Sequence, residues 1–574
     1  MNVSDMPLMP PAPWHVTPGE RAIWETSDPY GYDREWRHEL FEKLPLGFGE
    51  KLAGQYRKDW RGEGRKKANT RLRITARPFL ESGLPLLADE DQLVQQARIK
   101  ADHCRRIMSY HADSRKVFEA LCVYAVESGI NPIKLSAAIS QQGAIRRFCW
   151  DDWWKRQLRK AQGMAIETGA IYGGLVQNRR NIYVSDENLE RQREQSRRTR
   201  SILESLVAVN ELDDSYTLQE LADLSVSNPV ILRNEMMTRI MGTELFADTE
   251  GFLAFFLTLT CPSRFHARYS KSGEENPNYD GSTPKQGQAY LNKIWSLMRS
   301  RWKDHGLEVF GVRIAEPHHD GTPHWHILIF LKEKDKDLCL DFFKKYALKD
   351  SPDEAGALIR RFKIEEIDKS RGSAVGYVAK YISKNIDGYG VEYDELGNDA
   401  ASSAERVRTW AKTWGIRQFQ FFGVPPVTVW RELRRIHSEI SGSAPLERAR
   451  QAADTGNWAE YIYAMDGVCI SRDERPIALI KVWSDKPNRY DEPVGEIIVG
   501  VTTGDITIQT RIHVWTIGKK VIEEGVPNSD DHTYSTWDEY TGAITREPKG
   551  SNDPLGLENN FGQRPVLTYL EFCQ

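Results

Sequence analysis

Two apolar runs joined by a short polar turn constrain the fold of this chain more than any other feature. The runs cover residues 308–316 and 323–331 and have the β-branched and aromatic content typical of strands. The polar turn between them predicts an antiparallel hairpin. Because alternate side chains of a strand share a face, His324 and His326 point the same way, and the hairpin returns Glu316 beside them.

These three side chains form a candidate metal site. Neutral imidazole binds divalent metals, and a carboxylate commonly completes the ligand set. We expect His324, His326 and Glu316 to hold one ion, with His318 or His319 as the substitute ligand if Glu316 faces away. The alternative is a pair of polar histidines on a solvated strand face, since short motifs often match by chance.

Two tyrosines four residues apart follow the hairpin. Residues 373–385 have the apolar spacing of a helix, on which positions four apart differ by about 40° around the axis. The hydroxyls of Tyr377 and Tyr381 can therefore reach one substrate, with Lys380 between them. The alternative is an aromatic patch on an amphipathic helix, which is the common reason for such a pair.

Three segments taken together resemble a known family. Residues 255–260, 324–326 and 377–381, in that order, resemble the three motifs of the His-hydrophobe-His (HUH) endonucleases that initiate rolling-circle replication. The two-tyrosine form is similar to the replication gene A proteins of tailed bacteriophages. Residues 410–420 and 427–435 are similar to the same phage family, so the resemblance covers about 250–440.

The resemblance implies a metal-dependent nicking endodeoxyribonuclease, site- and strand-specific for origin DNA. In such an enzyme Tyr377 or Tyr381 attacks the DNA to leave a 5′-phosphotyrosine and a free 3′-OH primer, and the strand is later rejoined. Mg²⁺ or Mn²⁺ is the implied cofactor, and Mn²⁺ suits two imidazoles and a carboxylate better. Lys380 is expected near the phosphate or the tyrosine hydroxyl.

The implied partners are single-stranded or melted origin DNA and the host's helicase and replicative polymerase. The sequence contains no Gly-x-x-x-x-Gly-Lys-Ser/Thr motif, so we expect no built-in ATP-driven helicase.

Other functions fit parts of the same pattern. A conjugative relaxase or single-strand transposase shares the chemistry, but relaxases usually place their tyrosines before the His motif, and the transposases are usually shorter with one tyrosine. A metal-dependent hydrolase would use water in place of tyrosine. A non-enzymatic alternative is a nucleic-acid-binding protein with an RRM-like sheet, whose His and Tyr residues are structural or stack on bases.

Composition sets the broad class. At 574 residues the chain should hold about three domains or more, and its 40% hydrophobic and 28% charged content is ordinary for a globular protein. No apolar run approaches the roughly 18 residues that a membrane span needs, and the start lacks a secretory signal, so we expect the bacterial host cytoplasm and no membrane. Seven scattered cysteines predict reduced thiols.

We expect an α+β fold in three parts. Residues 1–245 are predicted to be mainly helical, with helices at 92–109, 114–128 and 187–206. Residues 57–77 and 146–200 combine basic and aromatic side chains, which indicates either DNA binding or solvated helices over a Trp-rich core.

Residues 246–440 form the expected catalytic domain, with helices on one side of an antiparallel sheet. The resemblance implies a ferredoxin-like palm for this sheet. The predicted strands and helices are, in order, strand 252–260, helix 285–303, strands 308–316 and 323–331, helix 337–348, strand 361–368, helix 373–385, strand 418–422 and helix 427–438. Residues 441–574 are expected to form a separate, β-rich C-terminal α/β module with strands at 476–483, 494–501 and 506–514.

Overall fold

The computed structural model describes residues 33–520 except 43, 45, 81, 371, 391–398 and 485. The chain before the first strand is helical. Its helices are α1 (Arg34–Glu42), α2 (Leu46–Glu63), α3 (Arg65–Leu80), α4 (Glu90–Tyr110), α5 (Ser114–Glu127), α6 (Gln141–Phe148), α7 (Asp151–Tyr172) and α8 (Asp186–Ser205).

The helices predicted in this region are confirmed within about two residues at each end. The N-termini of α4, α5 and α8 are capped by Asp89, Asp113 and Ser185, whose side chains accept hydrogen bonds from backbone N–H groups of the first turn. Such caps satisfy donors that have no partner inside the helix, which explains why these helices begin where the sequence indicates.

Helix α8 ends one residue before its predicted end, because Leu206 starts a strand. That strand, β1 (Leu206–Asn210), pairs with the short β2 (Ser215–Thr217). Two further helices, α9 (Leu218–Asp223) and α10 (Pro229–Thr249), lead to the central sheet.

The central sheet has five strands, all paired antiparallel. Their spatial order is β6-β3-β5-β4-β7. The strands and their connecting helices are β3 (Leu253–Thr260), α11 (Pro284–Asp304), β4 (Phe310–Pro317), β5 (Pro323–Leu331), α12 (Lys336–Ala347), α13 (Ala357–Arg360), β6 (Phe362–Glu366), α14 (Ala374–Ile386), α15 (Ala400–Trp414) and β7 (Phe419–Phe422).

Both faces of this sheet are covered, which corrects the expectation that the helices lie on one side. On one face Trp325 and Ile327 pack with Leu291 of α11. On the other, Phe256 packs with Val378 of α14. The strands β4 and β5 are buried along their whole length, and a sheet with no solvated face needs helices on both sides.

After β7 the chain adds helices and a small second sheet. The helices are α16 (Val427–Leu433), α17 (Ala444–Asp454) and α18 (Trp458–Ala464), and the sheet has the order β10-β9-β8, formed by β8 (Ala478–Trp483), β9 (Glu496–Thr502) and β10 (Thr507–Gln509). The strands predicted at 476–483 and 494–501 are confirmed, whereas the third is shorter than 506–514. A last strand, β11 (Trp515–Lys519), pairs with β1 of the N-terminal half.

The mixed helical and antiparallel composition confirms the α+β class. Helices α17 and α18 contribute Leu446 and Trp458 to the same core as Phe256 and Val378 of the central sheet. The divisions at 245 and 440 stay predictions, as does the ferredoxin-like palm. Residues 1–32 and 521–574 of the predicted terminal domains lie outside the described residues.

Candidate functional site

The predicted hairpin is present and sets the positions of the candidate ligands. Strand β4 pairs with β5 so that Glu316 lies opposite His324 and Ile314 lies opposite His326. Trp325, between the two histidines, is fully buried on the other face of the sheet. The alternation of side chains along β5 therefore brings both imidazoles to one face beside Glu316.

The three side chains form a compact cluster. The Nε2 atoms of His324 and His326 are 3.1 Å apart, and Nε2 of His326 lies 3.9 Å from a carboxylate oxygen of Glu316. Among the described residues, Glu316, His324 and His326 form the cluster of metal-ligand side chains whose ligand atoms all lie within 4.8 Å of one another. Neighbouring ligands of an octahedral ion with bonds of about 2.1 Å lie roughly 3 Å apart, so the donor set and its spacing fit a divalent cation.

Burial keeps the first histidine in its metal-binding form. Burial of His324, reinforced by the neighbouring imidazoles of His318 and His326, holds its pKa well below the usual value. The ring is therefore neutral at pH 7, with a lone pair available to a cation. Its Nδ1 is buried and has no hydrogen-bond partner among the described residues.

A threonine on the neighbouring strand fixes the orientation of His326. The hydroxyl of Thr258 lies 3.2 Å from Nδ1 of His326, and β3 pairs with β5 at these two residues. With Nδ1 engaged there, Nε2 faces Glu316 and His324. Bonds of this kind set the tautomer and ring orientation of metal-ligating histidines.

Two residues of α14 hold the carboxylate in place. Nζ of Lys384 lies 3.2 Å from one oxygen of Glu316, and the side-chain amide of Asn385 donates to the other oxygen at 2.5 Å. Glu316 is almost fully buried, so these bonds offset the cost of its charge. Sequence reasoning missed both residues, although they lie three and four positions after Tyr381 on the same side of the helix.

The tyrosine helix lies directly against the cluster. Ser373 caps α14, and Val378 and Ile382 anchor it in the core below. This leaves the ring of Tyr381 with its centroid 4.3 Å from that of His326. Tyr377, one turn earlier, is 37% exposed.

The same face carries an aromatic ring that contacts both motifs. Phe256 stacks on His326 and on Tyr381, with centroid distances of 5.4 and 5.1 Å, and lies 6.3 Å from Tyr377. Nζ of the exposed Lys380 lies 4.9 Å from the centroid of Tyr381. The structure thus brings together all six residues that the sequence singled out.

The substitute ligands lie in the hairpin turn. The ring of His318 stacks on that of His324 at 4.0 Å, and burial holds the pKa of His318 well below its usual value. Because Glu316 faces the cluster, the candidate ligand set does not require His318 or His319 as a substitute.

Asp320 in the turn lies 3.3 Å from Nδ1 of His266.

Two segments distant in sequence support this turn. The backbone N–H of Tyr183 donates to the carbonyl of His319, and the indole of Trp410 donates to the carbonyl of Gly321. Tyr183 has a φ of 69°, an uncommon conformation for a residue with a side chain. Nζ of Lys384 lies 5.8 Å from the Tyr183 ring, so this segment also borders the residues that hold Glu316.

Most aromatic residues of the basic region 146–200 pack against other side chains of the protein. Phe148, Trp153 and Trp154 are buried in one helical core. Trp150 lies between Tyr490 and Arg489 of a C-terminal loop. The Trp-rich core of the alternative is therefore present, and DNA binding by this region stays a prediction.

The six cysteines among the described residues are free thiols, as predicted. In the part of the chain that the structure describes, every helix is too short or too polar to cross a bilayer.

These features define an α+β protein with a candidate metal centre beside two tyrosines. The model of the family "Bacteriophage replication gene A protein (GPA)" matches residues 92–389, and the chain belongs to this family.

Curated relatives agree with that assignment. The replication gene A proteins of Escherichia phages 186 and P2 are 39% and 37% identical to the chain over 390 and 399 residues, which is 66% of this chain in both comparisons and 56% and 52% of the relatives. A "Probable replication endonuclease from prophage-like region" of Salmonella paratyphi A is 34% identical over 413 residues, 69% of this chain and 51% of the relative. The chain thus matches about half the length of these relatives. No solved structure gives a significant match.

Proposed function

We propose that this chain is a metal-dependent endonuclease that nicks origin DNA and initiates rolling-circle replication of a phage genome. The observation that carries the proposal is the contact of Tyr381 with His326, which joins a nucleophile to the candidate metal site. Membership of the gene A family and a relative named as a probable replication endonuclease support it.

His324, His326 and Glu316 would hold the cation, and Mg²⁺ or Mn²⁺ fits their mixture of imidazole and carboxylate. When bound, such an ion supplies charge stabilisation for the scissile phosphate. Thr258 and Asn385 orient the ligands in advance, which reduces the cost of organising the site, whereas Lys384 would share Glu316 with the cation.

Tyr381 or Tyr377 serves as the nucleophile. Its hydroxyl oxygen forms a bond to phosphorus while the bond from phosphorus to the 3′ oxygen breaks. The tyrosine proton passes to solvent or a nearby base, and the leaving oxygen takes up a proton to become the free 3′-OH. The exposed ammonium of Lys380, 4.9 Å from the centroid of the Tyr381 ring, would contact the phosphate or the tyrosine oxygen.

The second tyrosine accounts for rejoining. Tyr377 and Tyr381 lie one helical turn apart on one side of α14, and both rings are near Phe256. After a round of synthesis, the hydroxyl oxygen of the free tyrosine attacks the phosphorus of the regenerated junction and releases a 3′-OH. That 3′-OH then attacks the phosphorus of the first phosphotyrosine, which reseals the displaced strand and releases the first tyrosine. The strand is then transferred without a break in covalent attachment.

The substrate in this proposal is single-stranded or melted origin DNA, because a paired and stacked strand would not reach the tyrosines. With no P-loop in the sequence, unwinding and synthesis would depend on a host helicase and polymerase in the bacterial cytoplasm.

A covalent adduct tests the proposal. Single-stranded fragments that tile the genome encoding this chain, labelled at the 3′ end, are incubated with the protein and Mn²⁺ and separated under denaturing conditions. We expect one fragment to yield a labelled protein band that chelator abolishes. The double variant Tyr377→Phe, Tyr381→Phe should lose this band, and Tyr389→Phe, at an exposed tyrosine just after the helix, should keep it.

The alternatives give different products. Cleavage with no protein-bound label would indicate a hydrolase that uses water. Binding without cleavage would indicate a non-enzymatic nucleic-acid-binding protein. Persistence of the adduct in the double phenylalanine variant would contradict the assignment of the nucleophiles.

A further inference from the structure

Arg313 on β4 is a buried cation with no carboxylate partner among the described residues. Its side chain is 5% exposed, and its guanidinium lies 3.8 Å from the centroid of Trp325. It donates to the side-chain carbonyls of Gln420, at 3.0 and 2.5 Å, and of Asn292, at 3.2 Å. Neutral acceptors satisfy its hydrogen bonds but leave its charge uncompensated, which is costly inside a protein.

Two more arginines lie close to it. Burial, together with the charges of Arg417 and Arg299, lowers the pKa of Arg313 to about 10. Arg299 and Arg417 are exposed, and neither forms an ion pair with any residue that the structure describes. Arg299 lies two turns after Asn292 on the same side of α11. We call Arg299, Arg313 and Arg417 the edge arginines.

The edge arginines lie at one edge of the sheet that carries the candidate active site, with Arg313 on the face opposite the two histidines. Strand β7 is the outer strand of the sheet, and its Gln420 lies opposite Arg313. The pairing extends to Gln418, whose carbonyl accepts from the N–H of Ala315, so Arg417 follows beside Glu316.

Two successive side-chain hydrogen bonds link Gln418 to the cluster. The amide of Gln418 donates to the side-chain carbonyl of Asn385 at 3.3 Å, and Asn385 donates to Glu316. The position of Arg417 is therefore linked to the candidate metal site, whereas Arg313 lies across the sheet on the Trp325 face.

Basic side chains on α8 offer a contrast, because they are neutralised by carboxylates. Arg193 pairs with Glu405, and Arg197 and Arg198 pair with Glu194. Such pairs leave little net charge for an anionic ligand.

We infer that the edge arginines bind the phosphate backbone of the DNA strand next to the scissile phosphate. Arg417 and Arg299 contact the phosphates, and Arg313 adds a fixed positive charge behind them. A phosphodiester chain suits the surface because it carries regularly spaced negative charges that could pass from the tyrosines along the edge of β7. The inference rests on the proposed function for the identity of the strand.

Salt-dependent binding tests it. The affinity of the full chain for a fluorescent single-stranded oligonucleotide is measured by anisotropy over a range of salt concentrations. Each lost phosphate contact should reduce the slope of log affinity against log salt by about 0.7. We expect that reduction for Arg417→Gln and for Arg299→Gln, and about 1.4 for the double variant.

Lys293→Gln is the matched control, since Lys293 is an exposed cation on another side of α11. Its slope should equal that of the unmodified chain. An unchanged slope in the double arginine variant, a slope that falls equally in the control, or no binding by the unmodified chain would overturn the inference.

The adduct assay separates this inference from the proposed function. If the chain forms no tyrosyl adduct but the slope of log affinity against log salt falls in the double arginine variant, the nuclease proposal fails and the phosphate-binding surface stands. If the adduct forms and the slope of the double variant is unchanged, the nuclease proposal stands and the edge arginines have another role.

Discussion

The ring of Tyr381 lies 4.3 Å from the ring of His326, between centroids, and this contact joins the tyrosine helix to the His strand. The contact brings Tyr381 beside the cluster at which the scissile phosphate would bind in the proposed function. The contact also makes the metal site and the helix mutually dependent. Perturbing the residues that orient the ligands should therefore change metal affinity before it changes the fold.

Thr258→Val should weaken Mn²⁺ binding by about tenfold or more, because it removes the hydroxyl that orients His326. Valine keeps the size of threonine and suits a strand, so the fold should persist. Isothermal titration with Mn²⁺ measures the effect. Thr507→Val, at an exposed position of β10 in the second sheet, is the matched control and should bind as the unmodified chain does.

Asn385→Ala should also weaken Mn²⁺ binding, by roughly 10- to 100-fold, because it removes the amide that holds one oxygen of Glu316. The same titration measures it, and circular dichroism checks that α14 remains helical. Equal affinity in the variant and the unmodified chain would show that Asn385 does not position the carboxylate.

Lys384→Met should have the opposite effect and strengthen Mn²⁺ binding. The ammonium lies 3.2 Å from Glu316 and must share that carboxylate with any incoming cation. Removing a like charge from the site should raise the affinity by about tenfold. Lys363→Met, which removes an exposed lysine from β6, should leave it unchanged. Weaker binding in Lys384→Met would mean that the lysine orients Glu316 more than it competes.

Glu167 should make stability depend on pH. Burial raises its pKa from 4.5 to about 7, although Ser185 and Asn188 donate hydrogen bonds to it. Between pH 4.5 and 7 the native state therefore holds a proton that the unfolded state has lost, so stability falls as pH rises through this window. The loss should be about 3 kcal/mol. Glu167→Gln should remove that dependence from thermal unfolding scans, and a parallel fall in both proteins would contradict the assignment.

Local patterns predicted the elements that carry the candidate site. The alternation along β5 fixes which face His324 and His326 share, and the spacing of α14 brings Tyr377 and Tyr381 to one side. These features depend on a few neighbouring residues, so they can be read without knowledge of the rest of the chain.

Contacts between distant segments could not be predicted in this way. Thr258, Lys384 and Asn385 act on ligands that belong to other elements, and nothing in their local sequence identifies those partners. The pairing of β11 with β1 has the same origin, because it joins two strands that are about 300 residues apart in the sequence.

Composition alone was least informative in the N-terminal half. Its aromatic and basic residues predicted DNA binding and a Trp-rich core equally well. The structure assigns Trp153 and Trp154 to a core and pairs Arg193 with Glu405, whereas Arg299 and Arg417 form no ion pair among the described residues. Burial and ion pairing decide which basic residues stay available, and neither can be counted from a sequence.

Peptide mapping of the covalent adduct tests the central claim most directly. Trypsin cleaves after Lys380 and Lys384, which separates Tyr377 in peptide 372–380 from Tyr381 in peptide 381–384. After reaction with DNA and Mn²⁺ and nuclease trimming, mass spectrometry should find a nucleotide attached through phosphate to one or both of these peptides. A nucleotide attached elsewhere in the chain, or DNA cleavage with both peptides unmodified, would contradict the account.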